Sequence, residues 1–228
     1  NFIGNRSSPT QIPGTTWSTV VGGFYVVSAL KTDGTLWMWG NNGYGKLGQN
    51  GTTQRSSPVQ VPGTTWDSIA VQKLAAFARK SDGTLWALGG WNGPGCLGLN
   101  NRTDYSSPVQ IGSGTDWSQN IDGLKSQSYD SAATKTDGTL WTWGQNNVGQ
   151  LGQNAPNPSN LSSPTQVPGT TWLDVQMGAF SCLALKTDGS LWAWGRSEMG
   201  SLGIPSIAHD AHQSSPVQIP GTWGGSQI

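Results

Sequence analysis

Residues 31–40 read Lys-Thr-Asp-Gly-Thr-Leu-Trp-Met-Trp-Gly, and the centre of this stretch, Asp-Gly-(Thr/Ser)-Leu-Trp, occurs four times in the chain. The copies begin at Asp33, Asp82, Asp137 and Asp188, so the intervals between them are 49, 55 and 51 residues. Every copy is followed by Gly-x-Leu-Gly and then by Ser-Ser-Pro. Self-similarity at a nearly fixed period is the sequence signature of a repeat architecture. We therefore expect the shared residues to build the scaffold, and function to lie where the copies differ.

Each repeat is predicted to form a small antiparallel sheet in an all-β fold. Asp-Gly between two apolar stretches is a strong hairpin signal and predicts a type I′ turn, with positive φ at both central residues. The returning strand, Thr35–Trp39, has large apolar side chains on both faces, which predicts that both faces are covered. Further strands are expected at Trp17–Val21 and at Pro58–Val61. Four short strands per repeat, stacked face to face on the next repeat, describe a blade of a β-propeller.

The Gly-x-Leu-Gly element has a structural interpretation. Its leucine is expected to point into the core, and its glycines allow backbone conformations that are closed to other residues. A phosphate-binding loop is not supported, because neither a helix start nor a Walker lysine accompanies the glycines. The leucines concerned are Leu47, Leu97, Leu151 and Leu202.

The composition excludes several classes of function. The 228-residue chain has 12 Lys and Arg against 12 Asp and Glu, and charged residues make up 11% of it, against a usual share of roughly 25%. Binding to nucleic acid or to an anionic membrane surface needs clustered basic residues, so neither partner is expected. No apolar run of about 18 residues is present, so no membrane span is expected. Because the chain does not begin with Met, we expect it to be processed, trimmed or partial.

The combined pattern resembles a known repeat family. Lys-Thr-Asp-Gly-Thr-Leu-Trp-x-Trp-Gly, then Gly-x-Leu-Gly, then Ser-Ser-Pro-x-Gln-(Val/Ile), is similar to the regulator of chromosome condensation repeat, above all to its Trp-rich bacterial and phage versions. The resemblance implies a propeller of four-stranded blades, commonly seven, that acts as a binding scaffold without chemistry of its own. The family often has a histidine early in the second strand, and the aligned residues here are Val26, Ala75, Asp130 and Ser181. The founding member is a nucleotide-exchange factor for a small GTPase, but its basic tail has no counterpart here, so that activity is not transferred.

The repeats divide the chain into units at residues 10–58, 59–108, 109–164 and 165–216, with partial units at 1–9 and 217–228. Both Ser7–Ile12 and Ser214–Ile219 are expected to form a fourth strand, so in a closed four-bladed ring they would compete for one place. Either one of them stays unpaired, or the chain is four consecutive blades of a larger propeller with about seven blades. We favour the second, because two uncovered blade faces would leave large apolar patches.

The copies differ most in the loops between Gly-x-Leu-Gly and Ser-Ser-Pro, and variable loops on a fixed scaffold are the usual place for recognition. The alternative for each loop is drift in a solvated linker. The third repeat also has a four-residue insertion within Ser118–Ala133, and its strand at Gln127–Ser131 is unusually polar, which indicates weak packing or a local site. The four loops are Gln49–Arg55, Leu99–Tyr105, Gln153–Leu161 and Ile204–Gln213.

Trp91 is the tryptophan that fits no phase of the repeat, because Leu88 takes the place of the usual second tryptophan. It is either an exposed platform on which a sugar or a partner side chain stacks, or a side chain that fills a local gap. Its neighbour Asn92 is included in the predicted site, and Tyr44 and Tyr105 are weaker candidates of the same kind.

Residues able to carry chemistry are few. His209 and His212 could approach one metal ion, but two ligands in a loop make a poor site, and no metal or other cofactor is expected. No arrangement of nucleophile, histidine and acid is recognisable, so catalysis is not expected. Cys96 and Cys182 occupy unrelated phases of the repeat, which leaves both a disulfide and two free thiols open.

The sequence therefore predicts a non-enzymatic scaffold whose loops bind another protein, for example on a bacterial envelope or in a phage or virus particle. A lectin-like propeller that binds a surface glycan is the first alternative, and an exchange factor for a GTPase is the second. An extracellular, cell-surface or virion location is favoured over the nucleus.

Overall fold

The computed structural model describes residues 8–124, 129–154, 159–221 and 223. This part of the chain forms four antiparallel β-sheets, one for each repeat, and within every sheet neighbouring strands are consecutive in the sequence. Such sheets are blades of a β-propeller, as the sequence predicts. We number them blades 1 to 4 along the chain.

The strands of each blade follow in chain order. Blade 1 contains β1 (Trp17–Gly23), β2 (Val26–Lys31), β3 (Leu36–Gly40) and β4 (Arg55–Gln60). Blade 2 contains β5 (Trp66–Val71), β6 (Ala75–Lys80), β7 (Leu85–Gly90) and β8 (Val109–Gln110). Blade 3 contains β9 (Asp130–Thr134), β10 (Leu140–Gly144) and β11 (Leu161–Gln166). Blade 4 contains β12 (Trp172–Met177), β13 (Ser181–Lys186), β14 (Leu191–Arg196) and β15 (His212–Gln218).

The hairpin between the second and third strands is confirmed, but its turn type was predicted wrongly. The glycine of each copy has a positive φ, +76° at Gly34, whereas the aspartate before it does not in any of the four described turns. The amide of Gly34 donates to the carbonyl of Lys31, and the amide of Lys31 donates to the carbonyl of Thr35, each at 3.0 Å. This three-residue loop is a type I turn followed by a left-handed glycine, the next most common hairpin connection after the two-residue turns.

A relay of hydrogen bonds explains the polar residues of the motif. Trp37 Nε1 donates to Thr35 Oγ1 at 2.9 Å, and Thr35 Oγ1 donates to Asp33 Oδ1 at 2.6 Å. The hydroxyl and then the amide of Thr35 hold the pKa of the Asp33 carboxyl below its usual range. The relay therefore ties the strand to its own turn. It recurs at Trp86, Trp141 and Trp192, with serine in place of threonine in the last copy.

Hydrophobic clusters join each blade to the next. Between blades 1 and 2, Leu36 and Leu47 pack in one cluster with Trp66 and Leu88. Equivalent residues join blades 2 and 3 and blades 3 and 4. A fourth cluster, which includes Leu191, is formed by blade 4 and its following loop. The leucines of both motifs are buried, as predicted: Leu36, Leu85, Leu140 and Leu191, with Leu47, Leu97, Leu151 and Leu202.

Blade 3 lacks the complete first strand of the other blades. Trp117 makes a single bridge to Lys135, and the 3-10 turn Asp122–Leu124 follows. The inserted segment includes residues 125–128, so Gln127 and Ser128 of the predicted polar strand lie outside the described residues.

The described part of that polar strand is tightly packed. Asp130 and Ser131 begin β9 and are fully buried. Gln72 Nε2 of blade 2 donates to the carbonyl of Asp130 and to the hydroxyl of Ser131, each at 3.0 Å. For Asp130 and Ser131 the expectation of weak packing is therefore wrong, because both are buried and Gln72 binds them across the blade junction. The alternative, a local site, stays a prediction.

The two expected fourth-strand segments at the ends of the repeats behave differently. Residues 8–12 of the predicted segment Ser7–Ile12 form no strand, and Ser7 lies outside the described residues. The segment Ser214–Ile219 lies in β15 except for its last residue. An extent of about seven blades stays a prediction. In the described ranges, no helix is long and apolar enough to cross a membrane.

Candidate functional site

The strands of each blade have two ends that differ in how well the copies agree. We call the end with the Asp-Gly turns the hairpin end, and the opposite end, where the first strand turns into the second, the turn end. At the hairpin end, Lys31 Nζ lies 4.9 Å from the ring centroid of Trp17 and 4.4 Å from that of Trp37. The same lysine–tryptophan arrangement recurs in every blade, so it belongs to the scaffold. The equivalent lysines are Lys80, Lys135 and Lys186.

Exposed apolar side chains concentrate at the turn end. Of the ten large hydrophobic side chains that are exposed in the described chain, six lie there, and we call these six the apolar rim. Backbone bonds from Asn41 to Tyr25 and from Arg196 to Phe180 place the loops after the third strands beside the turns. Polar solvent-facing turns do not need such side chains, so the apolar rim is the candidate functional surface. It consists of Phe24, Tyr25, Tyr44, Trp91, Phe180 and Met199.

A buried lysine fixes the part of the apolar rim that blade 1 contributes. The rings of Phe24 and Tyr25 lie 4.4 Å apart, and Tyr25, with φ of +61°, is 73% exposed. Lys46 Nζ donates to the carbonyl of Phe24 at 3.1 Å and to that of Lys73 at 2.9 Å. Burial lowers the pKa of the Lys46 ammonium group. One ammonium group thereby ties the turns of blades 1 and 2 together.

Trp91 combines the two alternatives that its sequence position leaves open, an exposed platform and a side chain that fills a local gap. Its ring meets that of Tyr129 of blade 3 at a centroid distance of 5.2 Å and an interplanar angle of 74°. Its carbonyl accepts a hydrogen bond from the thiol of Cys96 at 3.1 Å. The side chain is nevertheless 39% exposed, so it both fills a gap and offers a surface. A role for Trp91 in binding stays a prediction.

The side chain of Asn92 has a structural role. It is fully buried, its Oδ1 accepts from the amide of Leu97 at 3.0 Å, and its Nδ2 donates to the carbonyls of Asn101 and Thr103. Asn42 makes the same bonds in blade 1. Because its amide is used within the chain, Asn92 holds its loop in place, and we leave it out of the proposed binding surface. An asparagine five residues before the leucine of Gly-x-Leu-Gly was the overlooked signal.

The two candidate tyrosines lie in different places. Tyr44 is exposed in the apolar rim. Tyr105 is partly buried between blades 2 and 3, where its hydroxyl accepts a hydrogen bond from Asn101 Nδ2 at 3.1 Å. The structure therefore does not bring Trp91, Tyr44 and Tyr105 together in one pocket, since Tyr105 lines a separate groove.

His209 and His212 are both exposed, one in the loop before β15 and one at the start of that strand. Across the described ranges, no group of three or more His, Cys, Asp or Glu side chains is placed to hold a metal ion. The absence of a metal and of a cofactor stays a prediction.

Cys96 and Cys182 are free and buried. Burial raises the pKa of the Cys96 thiol to about 12 and that of Cys182 well above its usual value. Neither thiol has the depressed pKa that makes a cysteine nucleophilic.

Four members of the apolar rim were missed by the sequence reasoning: Phe24, Tyr25, Phe180 and Met199. These residues could have been found from their positions in the repeat. The turn between the first two strands, and the residue before the first glycine of Gly-x-Leu-Gly, change from copy to copy while their flanks repeat.

The architecture defines a class of protein, a repeat protein of β-propeller blades, and comparison with known proteins identifies the repeat. The model of the regulator of chromosome condensation (RCC1) repeat matches residues 33–74 and 137–185, and a second model of the same repeat matches residues 172–201. The chain therefore contains RCC1 repeats within residues 33–74 and 137–201. Its similarity to bacterial and phage versions stays a prediction.

Relatives and solved structures cover the chain unequally. A Caenorhabditis elegans homolog of the X-linked retinitis pigmentosa GTPase regulator is 36% identical over 77 residues, which are 32% of this chain and 5% of that protein. Yeast RCC1 (Prp20), solved bound to Kap60, superimposes with a TM-score of 0.77 at 18% identity, over 95% of this chain and 52% of that chain. A second Prp20p structure from Saccharomyces cerevisiae, reported with its binding properties to Gsp1p and histones, gives 0.75 at 18% identity, over 95% of this chain and 54% of that chain. The chain thus spans about half of the solved propellers that it matches.

Proposed function

We propose that this chain is a non-enzymatic scaffold that binds a protein partner through the apolar rim. One observation carries the proposal: exposed apolar side chains gather at the end of the blades where the copies differ. Aromatic residues and methionine are enriched in the centres of protein–protein interfaces, and Lys and Glu are depleted there. The low share of charged residues, 11%, suits an interface of that kind.

The relatives favour a protein as the partner. Prp20 was solved bound to Kap60, and its binding to Gsp1p and histones was characterised. A cell envelope or a phage particle as the location of the partner is part of the proposal. Nucleotide exchange on a GTPase stays the second alternative, and the nucleotide-release measurement below tests it.

A pair of variants tests the apolar rim. The rim variant combines Tyr25→Ser with Trp91→Ser, and the control combines Thr32→Ala with Thr187→Ala, two exposed changes at the hairpin end. Proteins captured by the immobilised chain from a lysate are quantified by mass spectrometry, and the strongest one is purified for titration. We expect the rim variant to weaken its binding at least tenfold, about 1.4 kcal/mol, and the control to bind as the parent does.

Equal binding of that protein by the parent and the rim variant would refute the proposal. The identity of the purified protein tests the location, since a cytosolic housekeeping enzyme would argue against an envelope or phage role. Nucleotide release from a small GTPase is measured with the same proteins, and an accelerated release would favour the exchange-factor alternative.

A further inference from the structure

A groove between blades 2 and 3 is larger than the corresponding hollows of blades 1 and 4. It has a volume of about 460 Å³ and is lined by Leu99, Tyr105, Gln110, Trp141 and Ser163, among others. The corresponding hollows beside Trp17 in blade 1 and Trp172 in blade 4 measure about 290 and 310 Å³. The hollow beside Trp172 and this groove are both built at a junction of two blades, so the difference between them must come from residues in which the two junctions differ.

The first difference is a leucine in place of a glutamine. In blade 1, Gln49 Nε2 donates to the carbonyls of Leu47 and Gln60, and so connects the Gly-x-Leu-Gly loop to the fourth strand. Gln153 makes the same kind of connection in blade 3. Leu99 takes this position in blade 2 and has no side-chain donor, so the connection is lost.

The second difference lies in the connection that leads into blade 3. In blades 2 and 4 this connection reads Pro-Gly-Thr-Thr at residues 62–65 and 168–171, and Pro168 lines the hollow of blade 4. Blade 3 has Gly-Ser-Gly-Thr-Asp at residues 112–116, one residue more and without the proline. Gly112 has a φ of +62°, and a Cβ atom added to it would meet open space. The missing proline ring therefore widens the groove.

The third difference is the short edge strand of blade 2. β8 has two residues, whereas β4 and β11 have six each. The segment before β8 makes one isolated bridge, between Gly90 and Tyr105. Tyr105 lines the groove with its partly buried ring, so the shortened strand leaves a side wall of the groove to an aromatic side chain.

The groove offers neutral polar groups. Lys135 Nζ lies 4.8 Å from the ring centroid of Trp141 and forms a 3.1 Å ion pair with Asp116. The other three blades have a threonine at the position of Asp116. The lysine charge is thereby compensated in this blade. Among the described residues, no hydrogen-bond partner is found for the side chains of Gln110 and Ser163, and Tyr105 keeps its hydroxyl proton for an acceptor.

We propose that the groove between blades 2 and 3 binds a neutral saccharide. Amide and hydroxyl side chains exchange hydrogen bonds with sugar hydroxyls, and an apolar or aromatic wall accepts the C–H face of a pyranose ring. A volume of about 460 Å³ falls in the range of small-molecule sites, about 300–1,000 Å³. An anionic ligand is disfavoured because Asp116 already pairs with Lys135. The lectin-like alternative is thus moved from Trp91 to a site that is separate from the apolar rim.

The chain supplies its own design for a filled groove. Replacing residues 112–116 by Pro-Gly-Thr-Thr, together with Leu99→Gln, copies the sequences of the other blades into this junction. The parent and this filled variant are applied to an array of neutral oligosaccharides, and the strongest oligosaccharide is titrated by calorimetry. We expect binding by the parent and a loss of at least tenfold in the filled variant, with an unfolding midpoint in urea no lower than that of the parent.

Two single variants keep the test decisive if the filled variant does not fold. Gln110→Ala and Tyr105→Phe each remove one polar group from the groove, and each is expected to weaken saccharide binding threefold or more. The rim variant serves as the control and is expected to bind the saccharide as the parent does. The proposal would be overturned if the parent gave no array signal above that of the filled variant. It would also be overturned if both single variants bound the saccharide as tightly as the parent, or if the groove bound a decaproline peptide and no saccharide.

Discussion

The face of blade 1 that points away from blade 2 carries the same repeat residues as the corresponding face of blades 2 and 4, but no blade of the described chain packs against it. Val20, Ile69 and Val175 occupy one position of the first strand, each paired with an alanine of the second strand. Val20 is 69% exposed, whereas Ile69 and Val175 are 4% and 3% exposed. The burial of this position is therefore set by the neighbouring blade and not by the residue.

The tryptophans at the end of the third strand show the same contrast between burial in the later blades and exposure in blade 1. Trp143 and Trp194 are fully buried, and their Nε1 atoms donate to the carbonyls of Cys96 and Gln150 in the preceding blade, each at 2.9 Å. Trp39 holds the same place in blade 1 and is partly exposed, and its Nε1 atom has no hydrogen-bond partner among the described residues. One repeat sequence thus gives a core residue or a surface residue according to its neighbour.

The largest expected effect concerns this pair of tryptophans. Trp143→Ala removes a buried ring and is expected to lower the free energy of unfolding by about 3–5 kcal/mol. Trp39→Ala is expected to cost less than half as much, because part of that ring is already in water. Both free energies come from urea denaturation followed by circular dichroism. Equal losses would show that the open face of blade 1 is covered in solution.

A smaller effect, which depends on pH, comes from the thiols buried at the blade junctions. Cys182 occupies in blade 4 the position of Val27 in blade 1. The folded pKa of Cys96, about 12, lies above its usual value of 9.0, and that of Cys182 is raised as well. As pH rises above 9, the unfolded chain loses these protons first, so stability falls. At pH 10 the loss is about 1.4 kcal/mol for Cys96, and the raised pKa of Cys182 adds a loss of the same sign.

The matched control for the thiols is the double variant Cys96→Ala with Cys182→Ala. Urea denaturation of both proteins at pH 8 and pH 10 isolates the contribution of the thiols, because other groups, including Lys46, contribute equally to both. We expect the parent to lose at least about 1.4 kcal/mol more than the variant between the two pH values. The same pH dependence in both proteins would contradict the burial of the thiols.

The smallest effect should not depend on the neighbouring blade at all. Thr35→Val in blade 1 and Thr139→Val in blade 3 each remove the centre of a relay that is complete within one hairpin. Each substitution is expected to cost about 1 kcal/mol, and the two costs should agree. Thr32→Val, at an exposed hydroxyl outside the relay, is the control and should stay within about 0.5 kcal/mol. Unequal costs, measured by urea denaturation, would mean that the relay senses the next blade.

Much of the fold could be predicted because its signals are local. The hairpin, the buried leucines and the blades follow from a motif of five residues and its period. The turn type was missed because Asp-Gly suits two loop lengths, and the hydrogen bonds of Thr35 to Asp33 favour the longer one. The first strand of blade 3 was not foreseeable in detail, since an insertion breaks the period there.

The functional surfaces depend on positions that no single repeat encodes. Tyr25 and Phe180 are far apart in the sequence and come to the same end of the molecule through the stacking of blades. The groove beside Tyr105 arises from the combination of Leu99 and Gly112, each unremarkable alone. Asn92 was included in the predicted site because it lies next to Trp91. The recurrence of an asparagine five residues before the leucine of Gly-x-Leu-Gly, which indicates a structural role, was overlooked.

The tryptophan-to-aspartate relay closes within five residues of the chain, from Asp33 to Trp37. A hairpin of this kind pairs the polar side chains of its relay without help from another blade. Gene duplication can therefore add or delete a whole unit without breaking the relay inside any remaining hairpin. The number of units is consequently easy to change during evolution, while the order of residues inside each hairpin is not.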